Sequence, residues 1–326
     1  MKYLAETKYS LCLFVIFTFI FLSSGCHQGQ SIARMPSDKI HIVATTGMIA
    51  DIATIVGGDR VEVDCLMGPG IDPHRYIPTA GDLKRLQNAD MIFFNGLHLE
   101  GKMSDVFAQL GDSILTSPVS AQVPDHLLRK LNDGEEVDPH IWFDVSLWKY
   151  AVMEVRDKLI LYDPSSKQLY EEKASNYLQE LSNLHQEIWD KIHSIHENKR
   201  VLITSHDAFA YFGRAYEITV RGLQGVSTAA DTGSQDVRLL AAEIGQKKIP
   251  VIFGETSVPD RGIRAVQETV FKDWNWKVSL SKEKLYSDAL GEVGTSASTY
   301  TGMVRHNLSV ILKELNPTVS KEIFSK

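Results

Sequence analysis

Cysteine is scarce: there are three in 326 residues. Cys12 and Cys26 lie near the start, and Cys65 stands alone in the rest of the chain. No disulfide framework can therefore staple the body of the protein. Cys65, within Val61-Glu-Val-Asp-Cys-Leu66, reads as a small buried apolar residue rather than a nucleophile or a ligand. Basic clusters are also missing. Lys and Arg number 34 against 41 Asp and Glu, a formal charge of -7, and no long Lys/Arg run occurs. That composition carries no electrostatic footprint for nucleic acid, and none is expected as a partner. Apolar runs are short as well. Leu11–Leu22 falls below the roughly 20 residues that a bilayer core requires. Close internal repeats and low-complexity tracts are absent.

What the first residues do contain is an export signal. Lys2 and Lys8 precede the uncharged run Leu11–Leu22, which suits a signal-peptide h-region, although Glu6 is unusual in a basic leader. Ser23-Ser24-Gly25 and then Cys26 resemble a bacterial lipobox, with Ser23 where Leu is usual. The expectation is a signal peptide over 1–25, lipidation at Cys26, and a polar tether over 26–38 holding the protein to the membrane. The plainer alternative is cleavage nearby with Cys26 lost or unmodified. Either way the protein is exported to the cell envelope, in the periplasm or on the outer face of the cytoplasmic membrane.

Order begins near Lys39. The β-rich run to Thr45 is followed by a helical pattern through Met48, Ile49, Ile52 and Ile55 that stops at Gly57-Gly58. A strand over Val61–Leu66 runs into the loop Gly68–Tyr76. Thr79 is placed to cap a helix through Leu83 and Leu86, and Met91–Asn95 reads as a buried strand ended by Gly96. Strands alternating with helices at this spacing indicate βαβ units and a parallel sheet. From Asp163-Pro164, Leu169, Tyr177, Leu181, Leu184, Ile188, Ile192 and Ile195 recur at mostly three- and four-residue steps. Nothing breaks that pattern before Asn198, so a helix of roughly 45–50 Å is expected. It would either bridge two domains or form a coiled-coil arm. The α/β alternation then restarts: strands at Val201–Ser205, Ile218–Leu223 and Val251–Gly254, helices at Ala208–Tyr216, Val237–Ile244 and Arg261–Phe271, and a closing helix over Thr299–Leu315. The expected organisation is a first α/β lobe over 39–162, a linking helix over 163–198 and a second α/β lobe over 199–326.

The chemistry gathers in a repeated tripeptide. Ile71-Asp-Pro-His-Arg-Tyr76 and Val137-Asp-Pro-His-Ile-Trp142 each place an aromatic two residues after the His. Proline fixes φ and lacks an N–H, so each His sits on a stiff loop. The preceding Asp72 and Asp138 can orient loop backbone or an imidazole, as the outer partners of metal-ligating histidines do. A third His, His206 in Thr204-Ser-His-Asp-Ala208, follows a buried strand, where side chains point into the crevice of an open α/β sheet. Asp288 lies in the loop Leu285–Gly291. A lone histidine is more often a structural hydrogen-bonder than a ligand, and spacing alone decides neither His206 nor Asp288. Together, three imidazoles and a carboxylate make a closed four-donor site for a divalent ion, two donors from each half. His185, His193 and His196 are expected to face solvent on the long helix.

Several segments together resemble the zinc/manganese family of ABC-transporter solute-binding proteins along almost the whole mature length. They are Gly70–Tyr76, Ala89–Leu97, Asp138–Asp144, Ser205–Gly213, Gly222–Ser227, Phe253–Ser257, Leu285–Gly291 and Tyr300–Asn307. The resemblance implies two α/β lobes with mainly parallel sheets, joined by one long backbone helix, with metal in the cleft between them. It places the family's ligand positions on His74, His140, His206 and Asp288. Zinc-dedicated members often carry a long His-rich loop before the second Asp-Pro-His. This chain has only Asp125–Glu136 there, with one His, which keeps manganese open beside zinc.

The expected function is extracytoplasmic binding of one divalent ion as cargo, Mn2+ or Zn2+, with Fe2+ also admitted by the donors. The ion would be delivered to the membrane permease of an ABC importer, and the protein is expected to be a monomer and not an enzyme. Two other readings are a zinc-dependent hydrolase and an adhesin-like surface lipoprotein. A catalytic zinc keeps an open position and needs a nearby base. Glu255, after the strand Val251–Gly254, is the one candidate base, and is otherwise an outer partner of the site.

Overall fold

The computed structural model describes residues 39–316. Cys26, the signal peptide and the tether lie outside the described residues. Among those described, no helix is long and apolar enough to cross a membrane.

The first lobe is built on four parallel strands: β1 (Ile40–Thr46), β2 (Val61–Met67), β3 (Met91–Phe94) and β4 (Leu115–Pro118), in the order β2-β1-β3-β4. β1 is the central strand, and all of Ile-His-Ile-Val-Ala-Thr-Thr except His41 is buried. Such an apolar run is what a strand covered on both faces requires. Helix α1 (Gly47–Gly57) covers it with Met48, Ile49, Ile52 and Val56. Helix α2 (Ala80–Gln87) opens where Thr79 predicts. The Thr79 hydroxyl accepts from Asp82 N, and the Asp82 carboxylate accepts from Thr79 N. This reciprocal pair satisfies two of the helix's free donors. Helix α3 (Ser104–Leu110) and a small antiparallel hairpin, β5 (Lys130–Leu131) with β6 (Glu136–Val137), complete the lobe.

Two long helices follow. The sequence reading does not single out α4 (Val145–Tyr162), whose buried residues Leu147, Trp148, Ala151, Val152, Val155 and Leu159 form one stripe. It packs against α5 (Lys167–His193). At 27 residues α5 is about 40 Å long, shorter than expected. Pro164–Ser166 form a separate 3-10 turn gathered around Asp163, which accepts from Arg60, Ser165 and Tyr170. At the other end the chain turns at Ser194, and Arg200 Nε donates to the carbonyl of Ile195. α5 is no coiled-coil arm: it packs on α1 and α4, and on the second lobe's helices α6 (Ala210–Tyr216) and α9 (Tyr300–Leu315). His185 and His193 do not face solvent freely. His185 Nδ1 meets the Tyr216 hydroxyl, and the His193 ring stacks on Trp189 at 3.9 Å.

The second lobe repeats the strand order of the first. β7 (Val201–His206) pairs in parallel with β8 (Thr219–Gln224), and β9 (Val251–Ile252) with β10 (Ser279–Leu280). A backbone bond from Phe253 N to Ile203 O joins the pairs, giving β8-β7-β9-β10. Helices α7 (Ser234–Lys247) and α8 (Arg261–Trp274) cover this sheet over Ile203, Leu240, Ile244, Ile263, Val266 and Val270. The largest apolar cluster is common to both lobes and to α5. It runs from Ile42 and Met48 through Leu181 and Ile188 to Leu202, Tyr211 and Ile311.

Candidate metal centre

Every element that carries a predicted donor ends at the cleft. His74 lies on the loop after β2, His206 is the last residue of β7, and Asp288 follows β10. His140 follows the β5–β6 hairpin and opens the 3-10 turn Ile141–Phe143, which leads into α4. The open carboxyl edge of a parallel sheet is where side chains converge on a ligand. Here two such edges face each other. All four predicted donors come together: one ligand atom from each of His74, His140, His206 and Asp288 lies within 4.8 Å of the other three. His74 Nε2 is 3.2 Å from His140 Nε2. Asp288 directs Oδ1 to His140 Nε2 at 3.6 Å and Oδ2 to His206 Nε2 at 3.3 Å. A tetrahedral ion with bonds near 2.1 Å has donors about 3.4 Å apart; these three separations are close to that, and the whole cluster stays within 4.8 Å.

All four are buried, His140 and His206 completely. His206 Nε2 and Asp288 Oδ1 are enclosed with no hydrogen-bond partner. Orphaned buried polar atoms are costly, and a cation between them removes the cost. Two of the donors already have the charge state that an ion needs, His74 neutral and Asp288 ionised, whereas His206 holds a proton that the ion must displace. Burial, and then the neighbouring His140 imidazole, push His74 down to about 3, so it is neutral and ready to donate. Burial opposes charge on His206, but Glu255 and then Asp288 outweigh it and hold that imidazole well above its usual range. Burial opposes ionisation of Asp288 too, yet the imidazoles, His206 first, keep its carboxyl well below the usual range.

Two of the three predicted outer partners act on an imidazole. Asp138 Oδ1 accepts from His140 Nδ1 at 2.7 Å and from His140 N at 3.0 Å. Glu255 Oε2 accepts from His206 Nδ1 at 2.5 Å, and its Oε1 from His206 N at 2.9 Å. Each carboxylate fixes the tautomer that presents Nε2 to the cavity. Asp72 differs. It does not touch the His74 ring; Oδ1 accepts from His74 N, and Oδ2 accepts from the Thr228 hydroxyl of the other lobe at 2.5 Å.

The family model of zinc-uptake complex component A, periplasmic, matches residues 42–314. The chain belongs to this family. It is 41% identical over 295 residues to the manganese-binding lipoprotein MntA of Bacillus subtilis, covering 90% of this chain and 95% of that protein. It is 44% identical over 274 residues to the zinc-binding protein TroA of Treponema pallidum, covering 84% and 88%. The solved structure of that periplasmic zinc-binding protein superimposes with a TM-score of 0.83, covering 85% of this chain and 99% of that one at 43% identity. The manganese ABC transporter substrate-binding lipoprotein PsaA of Streptococcus pneumoniae is 30% identical over 312 residues, covering 94% and 97%.

Several residues of this family member's site escape a reading of the sequence. Ser257 Oγ reaches Asp288 Oδ2 at 3.3 Å and Ser287 Oγ at 2.7 Å. Trp142 lies edge-on to His140 and donates its indole N–H to the carbonyl of Ser287 across the cleft. Asn95 Nδ2 donates to the carbonyl of Pro139, inside the second Asp-Pro-His. Asn95 is itself held by the wholly enclosed Glu100, whose carboxylate accepts from Asn95 N and Thr45 Oγ1. The aromatic spacing after each His hinted at Trp142; Asn95, Ser257 and Ser287 lie in segments that carry the family resemblance, but nothing in their spacing assigns them a role at the site. Gly222 of β8 has a reason visible only here. A Cβ there would lie 2.3 Å from Asp207 N, so β8 could not lie against the end of β7 that presents His206.

Proposed function

We propose that this protein captures one divalent transition-metal ion, Mn2+ or Zn2+, outside the cytoplasm and delivers it to the permease of an ABC importer. The ion is held by His74, His140, His206 and Asp288. The observation that carries this reading is their convergence from both lobes at separations suited to one ion. Relatives that bind manganese and zinc, one of them named for a manganese ABC transporter, support it. Anchoring through a lipid on Cys26 follows from the leader and from the lipoprotein relatives. The lobe boundaries near 162 and 199, flanking the linking helix, belong to the same proposal.

The protein is not an enzyme in this reading. Four protein donors close the site, and Glu255, the candidate base, spends both oxygens on His206 and is fully buried. A hydrolytic zinc site would keep an open coordination position and a free base. Zinc binds more tightly than manganese to almost any such donor set. The cargo is therefore read by elemental analysis of protein isolated from its own envelope. One ion per chain is expected. Alanine at any of the four donors should weaken binding by at least about a hundredfold, more than loss of an outer partner. His193→Ala should change it little. Wild-type affinity in His206→Ala would overturn the donor set.

A further inference from the structure

Arg129 lies outside the donor cluster and its carboxylate partners, in the segment just before the second Asp-Pro-His. Its guanidinium is a fork between the lobes. Nη1 donates to Asp138 Oδ2 at 2.9 Å, and Nη2 donates to Asp207 Oδ2 at 2.9 Å. Asp138 is the carboxylate that fixes the His140 ring, and Asp207 directly follows His206. One side chain thus grips the neighbours of two donors on opposite sides of the cleft. The backbone around it is doubly tied. Arg129 O accepts from Asp138 N, Arg129 N donates to the Tyr211 hydroxyl, and that hydroxyl donates to the carbonyl of Asp138. Tyr211 belongs to α6 of the second lobe.

Exposure along this chain of contacts falls steeply. The side chain of Arg129 is 34% exposed and that of Asp138 0%. Arg129, with Asp207, lines a surface cavity of about 510 Å³. The guanidinium therefore stands between that cavity and the enclosed carboxylate that orients His140. Two in-plane donors in a rigid fork suit Arg to this place; the ammonium of Lys cannot span both carboxylates with the same geometry.

We propose that Arg129 is a positioning residue for the cargo: it sets the orientation and donor strength of His140 through Asp138, and it couples that setting to lobe closure through Asp207. This rests on the reading that the four-residue cluster holds the ion. Outer partners of metal-bound histidines typically change affinity about 10- to 100-fold when removed. The two arms of the fork should separate experimentally, because one reaches His140 and the other only the opposite lobe.

Co2+ serves as the probe, since its visible ligand-field bands report donor geometry. The full chain is loaded with Co2+, its spectrum recorded, and its dissociation into excess chelator timed. The wild-type bands must be lost in His140→Ala; if they persist, the reading of the cluster fails, not the proposal about Arg129. Arg129→Gln is expected to shift the bands and speed dissociation about 10- to 100-fold, in line with other outer-partner losses. Arg129→Lys, which keeps the charge beside Asp138 and guards against a misfolded Gln variant, should restore the bands but not the full residence time. Asp207→Asn should speed release with the bands in place. Lys130→Gln, on the exposed side of the hairpin, is the control. Folded Arg129→Gln and Arg129→Lys proteins with wild-type bands and wild-type release would overturn the proposal.

Discussion

At the residue scale, the carboxylates of this protein do different work according to what surrounds them. Glu255 and Asp138 are buried against the imidazole nitrogens that do not face the cavity, and each fixes a ring. Glu255→Gln keeps the shape but gives up the charge on His206, so metal affinity should fall about 10- to 100-fold with one ion still bound. A competition titration unchanged by Glu255→Gln would show that His206 needs no fixed carboxylate. Asp51 of α1 is a contrasting case. It accepts from Tyr300 N at the start of α9. Burial nevertheless raises it to about 6, opposed by the Tyr300 bond and helped by Glu180. An acid that holds its proton more tightly folded than unfolded stabilises the fold below its unfolded value, near 4, and loses that contribution as pH rises through about 6. Asp51→Asn should therefore be more stable than the parent at pH 7, by at most about 3 kcal/mol, and equal to it near pH 4. Denaturation of the metal-free proteins at the two pH values checks this; equal differences at both would refute it.

At the element scale, α5 is the common wall of the molecule. Its buried face is Tyr170, Ala174, Tyr177, Leu181, Leu184, Ile188 and Ile192. Those steps of three and four residues form one stripe along the helix. Propensity alone would not hold so polar a helix, and packing on both lobes supplies the stability. Leu181 is fully enclosed in the shared core. Leu181→Ala should cost about 2–5 kcal/mol, the range for a buried leucine that leaves a cavity. Equilibrium unfolding in denaturant measures it, and a loss below about 1 kcal/mol would mean the two lobes collapse around the void. The stripe is plain in the sequence because a periodic pattern is local information. α4 was not, because its signal merges with the second Asp-Pro-His before it and the Asp163 turn after it. The true ends of α5 were also hidden. They depend on Arg60 reaching Asp163 and Arg200 reaching Ile195, contacts that spacing along the helix does not encode.

At the scale of the whole molecule, the lobes share a core and close on each other by a few polar ties near the site. Among them are Asp72 with Thr228, Arg75 Nη1 with the carbonyl of Thr228, and Trp142 with Ser287. The first is the most telling, because His74 has no carboxylate on its ring and relies on Asp72 only through its backbone. Next to it runs a surface groove of about 840 Å³, which includes Asp72, Arg75, Thr228 and Ser257. Ser257, which lines the groove, touches Asp288, so one wall of the groove is shared with the site. Thr228→Val keeps the side-chain volume and removes the hydroxyl that meets Asp72. A hydrogen bond to a charged group contributes about 1.5–3 kcal/mol, so the ion should leave about tenfold faster or more. Stopped-flow mixing with chelator reads the rate, and no acceleration would place the exit elsewhere.

The sequence by itself determined the alternating α/β plan, the long apolar stripe and the two stiff Asp-Pro-His loops, because each depends on residues within a few positions of one another. It also singled out all four candidate donors once the resemblance was admitted, though spacing alone supported only His74 and His140. Tertiary structure alone decided that donors separated by up to 214 positions in the chain, His74 to Asp288, meet within 4.8 Å. It alone decided that Asp72 serves the opposite lobe rather than its own histidine, and that Arg129 stands between Asp138 and Asp207. The physical reason is one of range. Backbone geometry and hydrophobic period are set locally, whereas a carboxylate's partner is whichever donor the packing of two sheet edges brings within about 3 Å.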